Sequence, residues 1–496
     1  MNDMANLPFA HPDKLFIDGE WVAPSGRSTI DVITPSTEEL LVSVAEAEEA
    51  DVNRAVAAAR RAFDKGPWPR MSPQERGAYL HRFAEEIIAH AGPMGRAWSL
   101  EMGILTSYSE HLMGMVSSFY SFYGNLADSF EWEEIHPVAA VPAGILVREP
   151  VGVVAAIVPW NGPPMLAALK VAPALLAGCT VVLKASPEAP SACFHIAEIA
   201  ERIGLPRGVI NVLMADREVS ELLVRHPDVD KVSFTGSTAA GKRIASICGE
   251  RIARCTLELG GKSAAVVMDD VDLGLVAANM AQNAAFMTGQ VCAALTRIVV
   301  PRKRHDDLVD ALASEFRKIR TGDPLAAEGV DMGPLAMARQ RDRVEHYIAS
   351  GLAEGAQLAT GGGRPASINR GFFIEPTVFA RVDNQSTIAR EEIFGPVVSV
   401  IPADDEDHAL DIANDSMFGL SGAVFTDDPD RAYRAARRMR TGTICQNALP
   451  APDLFNIAFG GFKQSGIGRE GGKEGLLPYL EAKTILLSGM PSHLKR

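Results

Sequence analysis

Basic residues are in short supply. Lys and Arg number 48 against 62 Asp and Glu, a net charge of −14. A general nucleic-acid surface needs the opposite balance, so nucleic acid is not expected as a partner. The six cysteines, at 179, 193, 248, 255, 292 and 445, form neither CxxC pairs nor a Cys/His metal spacing. No metal site and no disulfide framework is therefore expected, and the thiols read as free in a reducing compartment. Long apolar runs are also missing. The most apolar stretch, residues 151–160, is half of the ~20 residues a membrane helix requires. Residues 1–21 lack the basic segment and apolar run of a secretory signal, so the cytoplasm is the expected location, with no membrane partner. No repeat at a fixed period of 20–50 residues is visible. What is present, 47% hydrophobic and 22% charged residues over 496 positions, describes a soluble globular chain of two to four domains at roughly 100–200 residues each.

Apolar segments alternate with helix and turn signals. Val52, Ala55, Val56, Ala59 and Phe63 recur at helical spacing. Ser72-Pro73-Gln74-Glu75 offers a cap, a proline at the first helical position and an acid in the first turn. Residues 102–130 read as helix, and their Met, Phe and Tyr stripe is expected to pack in a core or interface rather than to line a ligand site. Nothing before Val151 is expected to carry chemistry. Residues 138–149 read as a ribbon of two strands, and the tail at 482–488 is strand-like. The apolar segments 151–158, 180–183, 209–213 and 231–234, with a helix at 170–177, predict a doubly wound parallel sheet. Segments 298–301, 374–379 and 397–401, with helices at 306–319 and 337–353, predict a second α/β unit.

Two stretches concentrate reactive groups. Leu257-Glu258-Leu259-Gly260-Gly261-Lys262 ends a β-like segment, and Phe286-Met287-Thr288-Gly289-Gln290-Val291-Cys292 precedes an alanine-rich segment that could begin a helix. A cysteine at a helix start would have its thiolate favoured by free backbone N–H groups, and the thiolate is the attacking form of sulfur. A nearby glutamate could move a proton. By residue type alone each has a plainer reading: Cys292 a small buried hydrophobe, Glu258 a solvated or paired carboxylate. Pro159-Trp160-Asn161-Gly162-Pro163-Pro164 puts an amide just past a strand end, where open α/β sheets bind ligands and where an oxyanion donor would stand. Thr235-Gly236-Ser237 follows a strand and suits a pyrophosphate, although Gly241-Lys242 lacks the next hydroxyl of a P-loop. Gly466-Ile467-Gly468-Arg469-Glu470-Gly471 matches GxGxxG literally, but no apolar strand precedes it, so it is discounted.

Glu258 and Cys292, 34 positions apart, resemble the two active-site signatures of the NAD(P)-dependent aldehyde dehydrogenase superfamily. The resemblance runs from Lys14 to the tail and includes the Pro159-Trp160-Asn161, Phe234-Thr235-Gly236-Ser237 and Glu391-Glu392-Ile393-Phe394-Gly395-Pro396 stretches in order. It implies Cys292 as nucleophile, Glu258 as base and Asn161 as oxyanion donor together with the Cys292 backbone N–H. It implies Trp160, Lys184, Glu188, Gly236, Ser237, Leu259, Gly260, Glu392 and Phe394 as cofactor contacts, with Glu392 on the nicotinamide ribose. It implies Gly162, Met165, Leu166, Leu169, Val291 and Phe459 along the substrate channel.

The chain departs from the pattern at Lys184-Ala185-Ser186-Pro187-Glu188. Relatives that favour NAD often carry the ribose glutamate one position earlier, so NAD is the expected cofactor with NADP left open. Two Rossmann-like domains are expected, a cofactor-binding one (1–130 and 150–260) and a catalytic one (261–470). A ribbon and tail (131–149 and 471–496) would join copies into a dimer or tetramer. The implied reaction is oxidation of an aldehyde to a carboxylic acid through a thiohemiacetal and a thioester on Cys292. Leu169 stands where many relatives carry tryptophan, which favours apolar, medium-sized, branched or aromatic aldehydes. Alternatives are a coenzyme A-acylating relative, disfavoured by Glu258; a cofactor-independent thiol hydrolase; and a non-catalytic structural member.

Overall fold

A computed structural model describes residues 9–139, 141–326, 328–449 and 456–494. Its frame is two mostly parallel sheets. In the first, the five parallel strands lie in the order Arg254–Glu258, Lys231–Thr235, Val153–Ile157, Thr180–Ala185, Ile210–Met214. The last four of these are buried throughout, which is why they read as continuous apolar runs rather than as alternating ones. The hairpin Leu15–Ile17 and Glu20–Val22 adds antiparallel strands at one edge. Gly466–Ile467 adds a two-residue strand at the other, beside Arg254–Glu258. The discounted glycine-rich stretch is therefore an edge strand. A Cβ on Gly466 would fall 2.1 Å from the Leu257 carbonyl oxygen, so glycine serves close approach and not phosphate binding.

The second sheet runs Gln357–Thr360, Thr377–Ala380, Val397–Ala403, Leu295–Pro301, Ser263–Val267, Ser421–Phe425, Thr443–Gln446, with only the first strand antiparallel. A third sheet places Val141–Pro150 between Glu133–Val138 and the tail strand Leu480–Leu487. The expected ribbon and strand-like tail thus pair with each other. The helix expected at 102–130 is Thr106–Ser129; it starts later because Gly103, at φ 85°, ends a separate preceding helix, Ala91–Met102.

Chain order fixes where ligands fit. In the first sheet, succession reverses between Val153–Ile157, whose next strands lie on one side, and Lys231–Thr235, whose next strand lies on the other. That crevice is the topological switch point. The three adjacent strands around it end at Ile157, Thr235 and Glu258, so the stretches carrying Asn161, Gly236 and Glu258 emerge side by side.

Candidate active site

Residues 259–262 lead straight from the C-terminal end of one sheet into Ser263, the first residue of a central strand of the other. The two sheets therefore meet edge to edge. Cys292 and Glu392 lie just before the strands Leu295–Pro301 and Val397–Ala403, at the second sheet's N-terminal edge. Gly260 and Gly261 allow the approach. A Cβ on Gly261 would fall 2.3 Å from the Cys292 carbonyl oxygen, and one on Gly260 would meet the Glu392 carboxylate. The Gly261 N–H donates to Glu392 Oε1 at 3.0 Å.

Cys292 does not begin a helix. A turn follows it, then the strand Leu295–Pro301. The helix-start argument for an intrinsically favoured thiolate therefore fails. Burial, with the Glu392 and Glu258 carboxylates adding to it, pushes the thiol up to about 12. The backbone N–H groups of Ala293 and Cys292 act the other way, because they point at the sulfur. The loop before it is held in an unusual shape: Met287, Thr288 and Gly289 all have positive φ, 51°, 55° and 67°. Thr288 Oγ1 donates to the carbonyls of Gly333 and Pro334 at 2.9 and 3.2 Å. Gln290 is fully buried; its Nε2 donates to the Met287 carbonyl and its Oε1 accepts from the Ala336 N–H.

Asn161 is buried and oriented at both ends. The Trp98 indole N–H donates to its backbone carbonyl at 3.1 Å, and its own Nδ2 donates to the Gln290 carbonyl at 3.0 Å. It lines the same cavity as Cys292.

Glu258 is 3% exposed, and neither carboxylate oxygen has a hydrogen-bond partner among the described residues. Burial and then the neighbouring Glu470 carboxylate raise it well above the usual carboxylate range, while Lys170 and Arg469 oppose the shift. Glu470 is itself tied to Lys170 Nζ at 2.6 Å, and Lys170 also donates to Thr235 Oγ1 at 2.6 Å. This buried pair was not foreseen. Nothing in the local sequence joins Lys170 on the helix Pro163–Ala177 to a residue 300 positions away.

The cavity over Cys292, about 470 Å³, receives all six expected channel residues: Gly162, Met165, Leu166, Leu169, Val291 and Phe459. The helix begins directly after Gly162, so Met165, Leu166 and Leu169 reach the cavity, while Lys170, the next residue, bonds Thr235 and Glu470 instead. Two expectations are corrected here. Tyr108 and Phe119, from the stripe assigned to packing, line the cavity, and Trp98 holds Asn161, so chemistry does reach ahead of Val151. Asn279, Gln282, Asn283 and Phe286, spaced along one face of the helix Leu273–Ala285 and its continuation, were also missed. Their amphipathic spacing is visible in sequence, but which face meets a cavity is not. Asn447, Ala448 and Leu449 also line the cavity; residues 450–455, which follow them, lie outside the described residues.

The expected cofactor contacts gather at the switch point. Ser237 caps the helix Thr238–Arg251, accepting from the Ala240 N–H, so that helix's N-terminal amides open beside Gly236. Leu259 packs against Gly241 of the same helix. The Trp160 and Phe394 rings meet edge to face at 5.4 Å. Lys184 is buried at a strand end, its ammonium disfavoured by burial and supported by Glu188. Glu188 is bound by Ser186 Oγ and by the Arg339 guanidinium, so the displaced acid already has partners. An anion-ready helix start, a buried lysine and a carboxylate cradled on two glycines together fit a dinucleotide. No group of three or more His, Cys, Asp or Glu among the described residues could hold a metal ion.

A model of the aldehyde dehydrogenase family matches residues 21–485. Geranial dehydrogenase of Castellaniella defragrans is 44% identical over 96% of this chain and 98% of its own. Betaine aldehyde dehydrogenase of Bacillus subtilis is 38% identical over 96% and 98%. Among solved structures, an aldehyde dehydrogenase of Mycobacterium tuberculosis complexed with NAD+ superposes with TM-score 0.93 at 43% identity, over 96% of this chain and 98% of that one. A cysteine-to-alanine variant of aldehyde dehydrogenase C from Pseudomonas syringae, with NAD+ and octanal, superposes with TM-score 0.94 at 37% identity, over 98% and 99%.

Proposed function

The chain belongs to the aldehyde dehydrogenase family, and from that premise we propose which aldehydes it oxidises and which of its residues do the work. The activity is oxidation of an aldehyde to a carboxylic acid with NAD. The substrate is a neutral, apolar, medium-sized aldehyde, branched or aromatic. One observation carries this: no charged side chain lines the cavity over Cys292 among the described residues, and its walls are Met165, Leu166, Leu169, Phe119, Phe286 and Phe459 with amides beside them. A substrate carboxylate would be desolvated there without a partner, at a cost of several kcal/mol, on the order of that for an unpaired buried ion.

In this reading the Cys292 sulfur attacks the aldehyde carbon and its proton passes to Glu258. Asn161 Nδ2 exchanges its bond to the Gln290 carbonyl for the developing oxyanion, which the Cys292 N–H also meets. NAD, held by the Gly236-Ser237 turn, Lys184, Trp160, Leu259 and Gly260, and by Glu392 and Phe394, supplies the hydride acceptor. A thioester remains on Cys292. Glu258 first releases the thiol's proton to solvent; it then takes a proton from water, the water oxygen attacks the thioester carbon, and the acid leaves as that proton returns to the Cys292 sulfur. Coenzyme A transfer is disfavoured because Glu258 is present and sits in the same electrostatic neighbourhood as Cys292. The ribbon Glu133–Val138, Val141–Pro150 and Leu480–Leu487 would join identical subunits, since Ile135 and Leu486 expose about half of their apolar surface. The cytoplasm, where thiols stay reduced, is the fitting location, and among the described residues no helix is long and apolar enough to cross a membrane.

The test is NAD reduction with a panel of octanal, a branched unsaturated aldehyde, benzaldehyde, a carboxylated semialdehyde and a trimethylammonium aldehyde, beside Cys292→Ala. The neutral aldehydes should give the highest kcat/KM, and the variant should fall to background. Preference for the trimethylammonium aldehyde would overturn the substrate reading in favour of a cation held by the aromatic rings.

A further inference from the structure

Polar groups around the cavity over Cys292 are not all spent. Besides Asn161, the amides of Asn279, Gln282, Asn283 and Asn447 line it. Asn283 commits both amide atoms to the Leu295 backbone, Nδ2 donating to the carbonyl at 3.1 Å and Oδ1 accepting from the N–H at 2.9 Å. Asn447 does the same with Thr426, at 2.8 and 2.9 Å. Asn279 is half committed. Its Nδ2 donates to the Leu275 carbonyl at 2.9 Å, and because a carbonyl only accepts, the atom left over is the acceptor Oδ1. The Gln282 amide and the Tyr108 hydroxyl make no hydrogen bond among the described residues.

The free groups gather at the outer end. Asn279, Gln282 and Phe286 follow one another at helical spacing along the helix Leu273–Ala285 and its continuation, and the Tyr108 ring meets Phe286 edge to face at 5.5 Å. Asn283 is buried beside the start of the strand that follows Cys292, Asn279 is half-buried and Gln282 is exposed. The reactive floor, with Asn161, is buried, and the unspent polar groups form the rim.

We propose that this rim recognises a hydroxyl at the end of the substrate remote from the aldehyde, so that the substrate class is an aldehyde whose apolar body ends in a hydroxyl. The inference rests on the substrate reading above and sharpens it. A hydroxyl is both donor and acceptor. It donates to Asn279 Oδ1 and accepts from Gln282 Nε2, with the Tyr108 hydroxyl as a further partner. A carbonyl oxygen would leave Asn279 Oδ1 unmatched, and a charged end would find no counter-charge on these walls among the described residues. Between aldehyde and hydroxyl, the apolar body lies against Met165, Leu166, Leu169 and Phe459.

The experiment measures NAD reduction by the full-length protein with hexanal, octanal and decanal, each beside its ω-hydroxy counterpart. At the chain length that spans floor to rim, the hydroxylated aldehyde should have the higher kcat/KM, by about three- to tenfold, the worth of one neutral hydrogen bond. In Gln282→Met and in Asn279→Leu that ratio should fall to one or below. Gln282 is exposed, so its replacement leaves the core intact, and reading a ratio cancels any general loss of activity. Hydroxylated aldehydes equal or inferior at every length would overturn the proposal, and so would a ratio that survives both substitutions. Failure of the substrate reading looks different: there the unmodified aldehydes would themselves lose to a charged one.

Discussion

Glu258 sits a short distance from a second buried acid, and the pair sets how the active site responds to pH. Its carboxyl is raised by burial and by Glu470, so the base form is reached only at a pH above the ordinary carboxylate range. A base acts when deprotonated, so kcat should climb as pH rises through that value. Glu470→Gln removes the like charge and keeps an acceptor for Lys170. The acid limb of the kcat profile should then move to lower pH. Breaking the buried pair should also cost a few kcal/mol, about 3–5 for an uncompensated charge and less for the amide. A limb that stays in place or moves upward would show that Glu258 does not titrate in the rate. Glu258→Gln should leave the NADH burst of acyl-enzyme formation and slow turnover by ~10²–10⁴, the usual worth of a general base. Unchanged steady-state turnover would remove Glu258 from the mechanism.

At the scale of an element, the segment from Phe286 to Cys292 is shaped by ties to its surroundings rather than by its own preference. Three successive positive φ values, two of them at Met287 and Thr288, are disfavoured for residues with a Cβ. Gln290 holds the segment by bonding the Met287 carbonyl and the Ala336 N–H, while its own carbonyl takes the Asn161 amide. Gln290→Ala would leave the buried Ala336 N–H unpaired, at a cost of about 1–3 kcal/mol, and would take the side-chain tie from the Met287 carbonyl, which keeps the backbone N–H of residue 290. Stopped-flow assays should show kcat lowered about tenfold or more, on the scale of 1.4 kcal/mol per decade, with the Kd for NAD unchanged. A loss of stability with kcat intact would make Gln290 a packing residue only.

The whole molecule closes through the ribbon. Eight residues of Leu480–Leu487 pair in register with Val141–Pro150, and Arg254 reaches Glu481 at 2.5 Å. Ending the chain at Tyr479 would strip one edge of Val141–Pro150 and leave its backbone groups unpaired. Full-length protein should sediment as a dimer or tetramer, and the shortened chain as monomer or aggregate. A full-length monomer would remove oligomerisation from the account.

The parallel strands were legible because burial on both faces writes itself as unbroken runs of Val, Ile and Ala, and the turns because Gly and Pro punctuate them. The motif stretches at Asn161, Gly236 and Glu258 could likewise be placed at strand ends from sequence alone, and the family follows from them together with those at Cys292 and Glu392, whose place before strands of the second sheet was not legible. Local sequence could not decide what lies across from them. Lys170 reads as a helix residue, Glu470 as part of a false fingerprint and Tyr108 as packing, while Trp98 draws no reading at all. Only when the C-terminal edge of one sheet meets the N-terminal edge of the other do these become the surroundings of Glu258, Asn161 and the cavity. Cys292 makes the same point. Its place in the chain suggested an activated thiolate, but the sulfur's protonation is set by the burial and carboxylates that folding assembles around it. Periodicity and turn chemistry act over a few residues and are written locally, whereas desolvation and charge act through space between residues hundreds of positions apart.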